Sequence, residues 1–117
     1  MKKSNPMNIS SKELEKWLKQ EGELPVLVDV REDQELVLAP FPYEVIHLPL
    51  SQISCWGENI SDVIPFESRI VVLCHSGIRS LNFANWLLEQ SFDYQIWNLE
   101  GGIDSWSLEI DPSVPRY

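Results

Sequence analysis

No apolar run in this sequence approaches the roughly 18–20 residues that a membrane-spanning helix needs. The amino-terminal "MKKSNPMNIS" also lacks the apolar stretch that a secretory signal carries after its lysines. Basic residues are scarce: nine Lys and Arg stand against eighteen Asp and Glu, a net charge of −9, which repels nucleic acid and anionic lipid at long range. Cysteine is scarcer still, with only Cys55 and Cys74, whereas a small secreted scaffold carries several in framework-like pairs. There is no CxxC, no histidine pair at ligand spacing and no acidic calcium loop. These absences lead us to expect a cytoplasmic protein with no metal, no cofactor, no nucleic-acid partner and no membrane partner.

What is present suffices for one compact unit. With 117 residues, 44% of them hydrophobic, the chain can bury one core and is too short for two. The expectation is a single domain over residues 1–117, with 1–7 and 111–117 as extended tails. In "ISSKELEKWLKQEG", Leu14, Trp17 and Leu18 share one helical face, with Ser10 or Ser11 as N-cap and Gly22 as a stop, which predicts a helix over 11–20. "LPVLVDVRE" and "SRIVVLC" are short, β-branched and almost continuously apolar, as strands buried on both faces are. "VIHL" and "YQIWNL" read as further strands and "DQELVL" as a short helix. "APFPYE" reads as an irregular connection, because its prolines cannot continue a helix. Residues 51–64 read as partly helical. From Ile78, the residues Leu81, Ala84, Leu87 and Leu88 recur at helical spacing, and "GGIDSWSLEI" reads as a turn and a last helix. Short apolar strands alternating with helices predict an α/β domain with a small, largely parallel sheet covered on both faces.

Cys74 stands where the clearest strand ends, in "VVLCHSGIRS". In open parallel sheets, ligands bind beyond the carboxyl ends of the strands. A cysteine there, followed by a tight turn into a helix, has its sulfur above several backbone N–H groups, which favour an anion. Gly77 can take the positive φ that curls the loop with its amides inward. Arg79 adds a permanent charge and a planar set of donors, and His75 a pH-dependent charge. The loop therefore reads as a nucleophilic cysteine cupped by amides and facing an anion. The competing reading is a buried cysteine with a capping turn.

Four ordered blocks, "LVDVRE", "VIHLPLSQI", "IVVLCHSGIRS" and "NLEGGIDSW", resemble those of the rhodanese-like sulfurtransferases. That resemblance implies the rhodanese-like three-layer fold, with helices on both faces of a small parallel sheet. It also implies that Cys74 accepts a sulfane sulfur from an anionic donor such as thiosulfate and passes it, as a persulfide, to a thiol or cyanide, or to a protein acceptor. By the same resemblance, the backbone of His75, Ser76, Gly77, Ile78 and Arg79 cradles the sulfur, and Arg79 binds the donor. Asp29 and Arg31 are either a salt-bridged structural pair or, with Ser80, support for the site. Gly101, Gly102 and Trp106 match a turn and helix anchor. Two departures stand out: "APFPYE" replaces a proline–glycine turn, and His75 sits where arginine is common.

His47 and Cys55 read as a structural histidine and an inert thiol, and the five tryptophans as core. Two rival functions remain. One is a non-catalytic rhodanese-like module that binds a partner or senses redox state. The other is a cysteine-dependent phosphatase, whose pattern needs five residues between cysteine and arginine, where four stand here.

Overall fold

The computed structural model describes residues 5–90 and 92–117. Its sheet is built from β1 (Met7–Ile9), β2 (Val26–Asp29), β3 (Ile46–His47), β4 (Arg69–Leu73) and β5 (Gln95–Leu99), in the order β1-β5-β4-β2-β3. All the pairings are parallel. The β-branched runs occupy the middle of the sheet, where both faces are covered. In β4, Ile70 and Val72 enter one core together with Cys74, while Val71 and Leu73 enter the other. This period of two decides which layer the cysteine faces.

One layer consists of α1 (Ser11–Leu18) and α6 (Gly102–Glu109), which bury Leu14, Leu18, Ile103 and Trp106. The other contains α3 (Ile53–Trp56), α4 (Ile60–Val63) and α5 (Ile78–Leu88), which bury Trp56, Ile60, Phe83, Ala84 and Leu87. The fold is therefore α/β and three-layered. A short helix, α2 (Asp33–Leu38), follows β2 and buries none of its residues. Among the described residues, no helix is long and apolar enough to cross a membrane.

The strand order creates a switch point. After β2 the chain moves outward to β3, and after β4 it moves the opposite way to β5. The loops leaving β2 and β4 therefore diverge at the carboxyl ends of two neighbouring strands, the usual ligand position in such sheets. Asp29 pairs with Leu73 in that register, and Val30 N–H donates to the Leu73 carbonyl at 3.1 Å. The start of "VRE" thus lies beside the start of "CHSG".

Helix α1 starts on a capping box. The Ser10 hydroxyl accepts from Glu13 N–H at 3.1 Å, and the Glu13 carboxylate accepts from Ser10 N–H at 2.9 Å, satisfying two otherwise orphaned donors. Three details differ from the sequence expectation. Met7, expected in a tail, opens β1; this edge strand buries only Ile9, so no alternation betrays it. Helix α1 ends at Leu18 instead of residue 20. Helix α5 is rotated from its expected face: Leu81 is 39% exposed and Ile78 69%, while Ser80, Phe83, Ala84 and Leu87 are buried. The rotation turns a serine toward Cys74. The closing segment 111–117 is irregular but packs back on the body, with Val114 buried and Arg116 paired to Asp104 at 2.8 Å.

Candidate active site

The Cys74 loop is shaped by what its peptide groups face. Gly77 takes φ +99° and caps α5, a left-handed turn that costs a side-chain-bearing residue about 1–2 kcal/mol. That turn points two amides at the sulfur: Gly77 N–H donates to Cys74 Sγ at 3.2 Å and Ser80 N–H at 3.4 Å. On the outer side of the loop, the Cys74 and His75 carbonyls accept from Ile103 N–H at 2.8 Å and Asp104 N–H at 3.0 Å. One helix start therefore faces the sulfur, and the other grips the back of the loop.

Gly102 makes that grip possible. A Cβ there would fall on the Cys74 and His75 carbonyl oxygens, so only glycine lets α6 approach. Trp106 seats the helix: its ring packs 4.8 Å from Phe41 and 6.2 Å from Tyr43, and it is buried. Burying one such side chain contributes about 1.5–3 kcal/mol. Phe41 and Tyr43 come from "APFPYE", so the unusual connection supplies part of the anchor that holds the loop.

Behind the sulfur runs a buried polar chain. Cys74 Sγ lies 3.3 Å from Ser80 Oγ, and the Ser80 hydroxyl donates to Asn98 Oδ1. The Asn98 Nδ2 amide donates to the Gly77 carbonyl at 3.1 Å. Both ends of the Asn98 side chain are thus used, one on the hydroxyl behind the sulfur and one on the turn that aims the amides.

Two ion pairs flank the loop. Arg31 is fully buried and doubly bonded to Asp29, with Nε 3.1 Å from Oδ1 and Nη2 2.9 Å from Oδ2. Burial lowers its pKa, but the hydrogen bonds and charge of Asp29 and Tyr117 together outweigh that and raise it. Arg79 reaches from α5 to α2, where Nη1 and Nη2 donate to the two Glu35 oxygens at 2.7 and 2.8 Å. The Arg79 hydrogen bond holds the Glu35 carboxyl at about 2, down from an ordinary 4.5.

The structure thus brings Gly77 and Ser80 onto the Cys74 sulfur, while Arg79, at the start of α5, is bound to Glu35, and Asp29 and Arg31 form a buried pair at the end of the neighbouring strand. Ser76 and Ile78 have exposed side chains and line the turn with backbone alone. His75 stacks its ring 4.2 Å from that of Tyr117. His47 stands apart from the sulfur's partners: Nε2 lies 2.6 Å from the Arg31 carbonyl and Nδ1 3.8 Å from Asp33. Cys55 is an exposed free thiol on α3, whereas Cys74 is buried.

The overall match is decisive. The rhodanese-like domain family is matched over residues 10–109. This chain belongs to the rhodanese-like domain family. It is 41% identical over 92 residues to rhodanese-like/PpiC domain-containing protein 12, chloroplastic, of Arabidopsis thaliana, a match that takes in 78% of this chain and 30% of that protein. Against the thiosulfate sulfurtransferase GlpE of Actinobacillus pleuropneumoniae, identity is 29% over 101 residues, 86% of this chain and 88% of the relative. The crystal structure of a rhodanese-like domain protein from Staphylococcus aureus superposes with a TM-score of 0.70 at 26% identity, covering 86% of this chain and 90% of that one.

Three residues of this rhodanese-like domain reach the site without having been expected there: Glu35, Asn98 and Tyr117. A polar residue interrupting the apolar strand "QIWNL" was the available signal for Asn98. Glu35 and Tyr117 had none, because the side chains that they meet at the site, Arg79, Arg31 and His75 among them, lie on other segments of the chain.

Proposed function

We propose that this domain moves a sulfane sulfur from an anionic donor such as thiosulfate, through a persulfide on Cys74, to a thiophilic acceptor. The observation that carries the reading is the amide pair on Sγ, from Gly77 and Ser80 at 3.2 and 3.4 Å. Two N–H groups aimed at one sulfur favour negative charge there, first on the thiolate and then on the persulfide. The Cys74 thiolate attacks the outer sulfur of thiosulfate, a new S–S bond forms, and the donor's own S–S bond breaks with its electron pair leaving on sulfite. The acceptor, cyanide or a thiolate, then takes the outer sulfur and returns Cys74 as thiolate. Atoms and charge balance in both steps without an added oxidant or reductant.

Arg79 is the donor-binding group in this scheme. Glu35 uses two of its N–H groups, leaving others for an oxyanion. The tight four-residue spacing suits a single sulfur better than a phosphoryl group. The thiosulfate sulfurtransferase among the relatives supports the same donor class. Two free thiols suit a reducing, cytoplasmic setting, and a protein could replace the small acceptor without changing the chemistry.

Intact-mass measurement after incubation with thiosulfate tests the scheme. The protein should gain one sulfur atom, lose it on adding cyanide, and release sulfite and thiocyanate. Cys74→Ser should lose the adduct and at least about a thousandfold in turnover, since the nucleophile itself is gone; Cys55→Ser should stay within about twofold. Sulfur still carried by the Cys74→Ser protein, or aryl-phosphate hydrolysis without any adduct, would overturn the proposal.

A further inference from the structure

We infer that Tyr117 closes the mouth of the Cys74 loop and selects by size which sulfur donors and acceptors reach the thiol. The inference rests on the reading above only in taking Cys74 as the reacting atom. Cys74 sits at the open end of the sheet yet is only 1% exposed. The groups that Tyr117 touches stand around that loop. Its ring lies 4.2 Å from the His75 imidazole, its phenol donates to Glu35 Oε1 at 3.0 Å, and it accepts from Arg31 Nη1 at 3.1 Å. Through Glu35 it also abuts Arg79. One side chain therefore bridges the β2 and β4 loops.

Burial pushes the phenol pKa up, so the hydroxyl keeps the proton it donates to Glu35. The segment that delivers Tyr117 is held independently of these contacts. Val114 is buried and its carbonyl accepts from the Ser107 hydroxyl, while Arg116 makes two bonds to Asp104. The anchor thus stays in place when the ring swings out. Tyr117 itself remains 38% exposed, so water can replace its bonds as it leaves. Opening breaks the phenol's bonds to Arg31 Nη1 and Glu35 Oε1 and leaves both partners held by their other bonds, Arg31 to Asp29 and Glu35 to Arg79. A larger donor or acceptor needs the ring displaced further than a small one does.

The test uses the Cys55→Ser protein, in which alkylation reports Cys74 alone. Second-order rates with iodoacetamide and with the bulkier N-ethylmaleimide are compared for Tyr117, Tyr117→Phe and Tyr117→Ala. Tyr117→Ala should accelerate the maleimide about tenfold and iodoacetamide only a few fold. Tyr117→Phe, which loses the bonds but keeps the ring, should fall between. The ratio of kcat/KM for an arenethiosulfonate to that for thiosulfate should rise in the same order. Rates within about twofold of the parent for both reagents would overturn the inference. Equal acceleration of both would do so too, since it signals a loosened loop without a size filter. Because alkylation requires no sulfur transfer, size-dependent acceleration in a protein that never forms a persulfide would leave the gate standing and remove the sulfurtransferase reading.

Discussion

Two arginine–carboxylate pairs flank Cys74, and they differ in how they were built. Asp29 and Arg31 are two residues apart at the end of β2, and both side chains are 0% exposed. The carboxylate also accepts from Arg31 N–H at 3.0 Å, so it bends the chain locally as well as neutralising the guanidinium. Arg79 and Glu35 are 44 residues apart on two helices, with side chains 37% and 15% exposed. A buried, fully bonded pair cannot trade partners, because the released charge would have no solvent to receive it. A pair open to water can. In the proposed scheme Arg79, the partly exposed guanidinium, is the one that turns to an incoming anion, whereas the buried Arg31 holds the strand end in place.

Breaking the buried pair should therefore give the largest effect. Arg31→Met strands the Asp29 carboxylate and should cost about 3–5 kcal/mol in urea unfolding. A loss below about 1 kcal/mol, the range of an exposed pair, would erase the distinction. Arg79→Ala should do the reverse: kcat/KM for thiosulfate falls about tenfold or more, while unfolding stability changes by about 1 kcal/mol or less. Unaltered thiosulfate kinetics in a folded Arg79→Ala protein would remove that arginine from the donor site.

The smallest effect lies in acid. Glu35 has its carboxyl held at about 2 against an ordinary 4.5, so its ionised form is favoured by folding. The resulting stability is complete above about pH 4.5 and is lost as the pH falls toward about 2. Solvent on the Arg79 side keeps its size to about 1 kcal/mol. Glu35→Gln should flatten this part of the curve of unfolding free energy against pH, measured from about pH 5 down to 2. An unchanged acid limb in the variant would show that other carboxylates set it.

Much of the frame was legible because the signals were local. Apolar β-branched runs mark β2 and β4, and the Cys74–Gly77–Arg79 spacing marks the loop. β1 was hidden because three edge residues with one buried side chain carry no period. The face of α5 was misread because leucine spacing suggested Leu81, whereas the buried position nearest the sulfur is Ser80, a small polar residue that hydrophobicity cannot flag. Asn98 stood out as a polar residue in an apolar strand, but its two partners, Ser80 and the Gly77 carbonyl, lie on other segments.

The order of the main elements after β1, the end of β4 as the place of the thiol, and the turn that aims amides at it follow from the sequence alone. They depend on short-range properties: β-branching, helical spacing and the backbone freedom of glycine. Tertiary structure decided which charges meet. It set Glu35 on Arg79, brought Gly102 against the back of the loop, and laid Tyr117 over His75. Each of these joins residues from separate segments, and their distances are set by how the layers pack over the sheet, which no local pattern encodes.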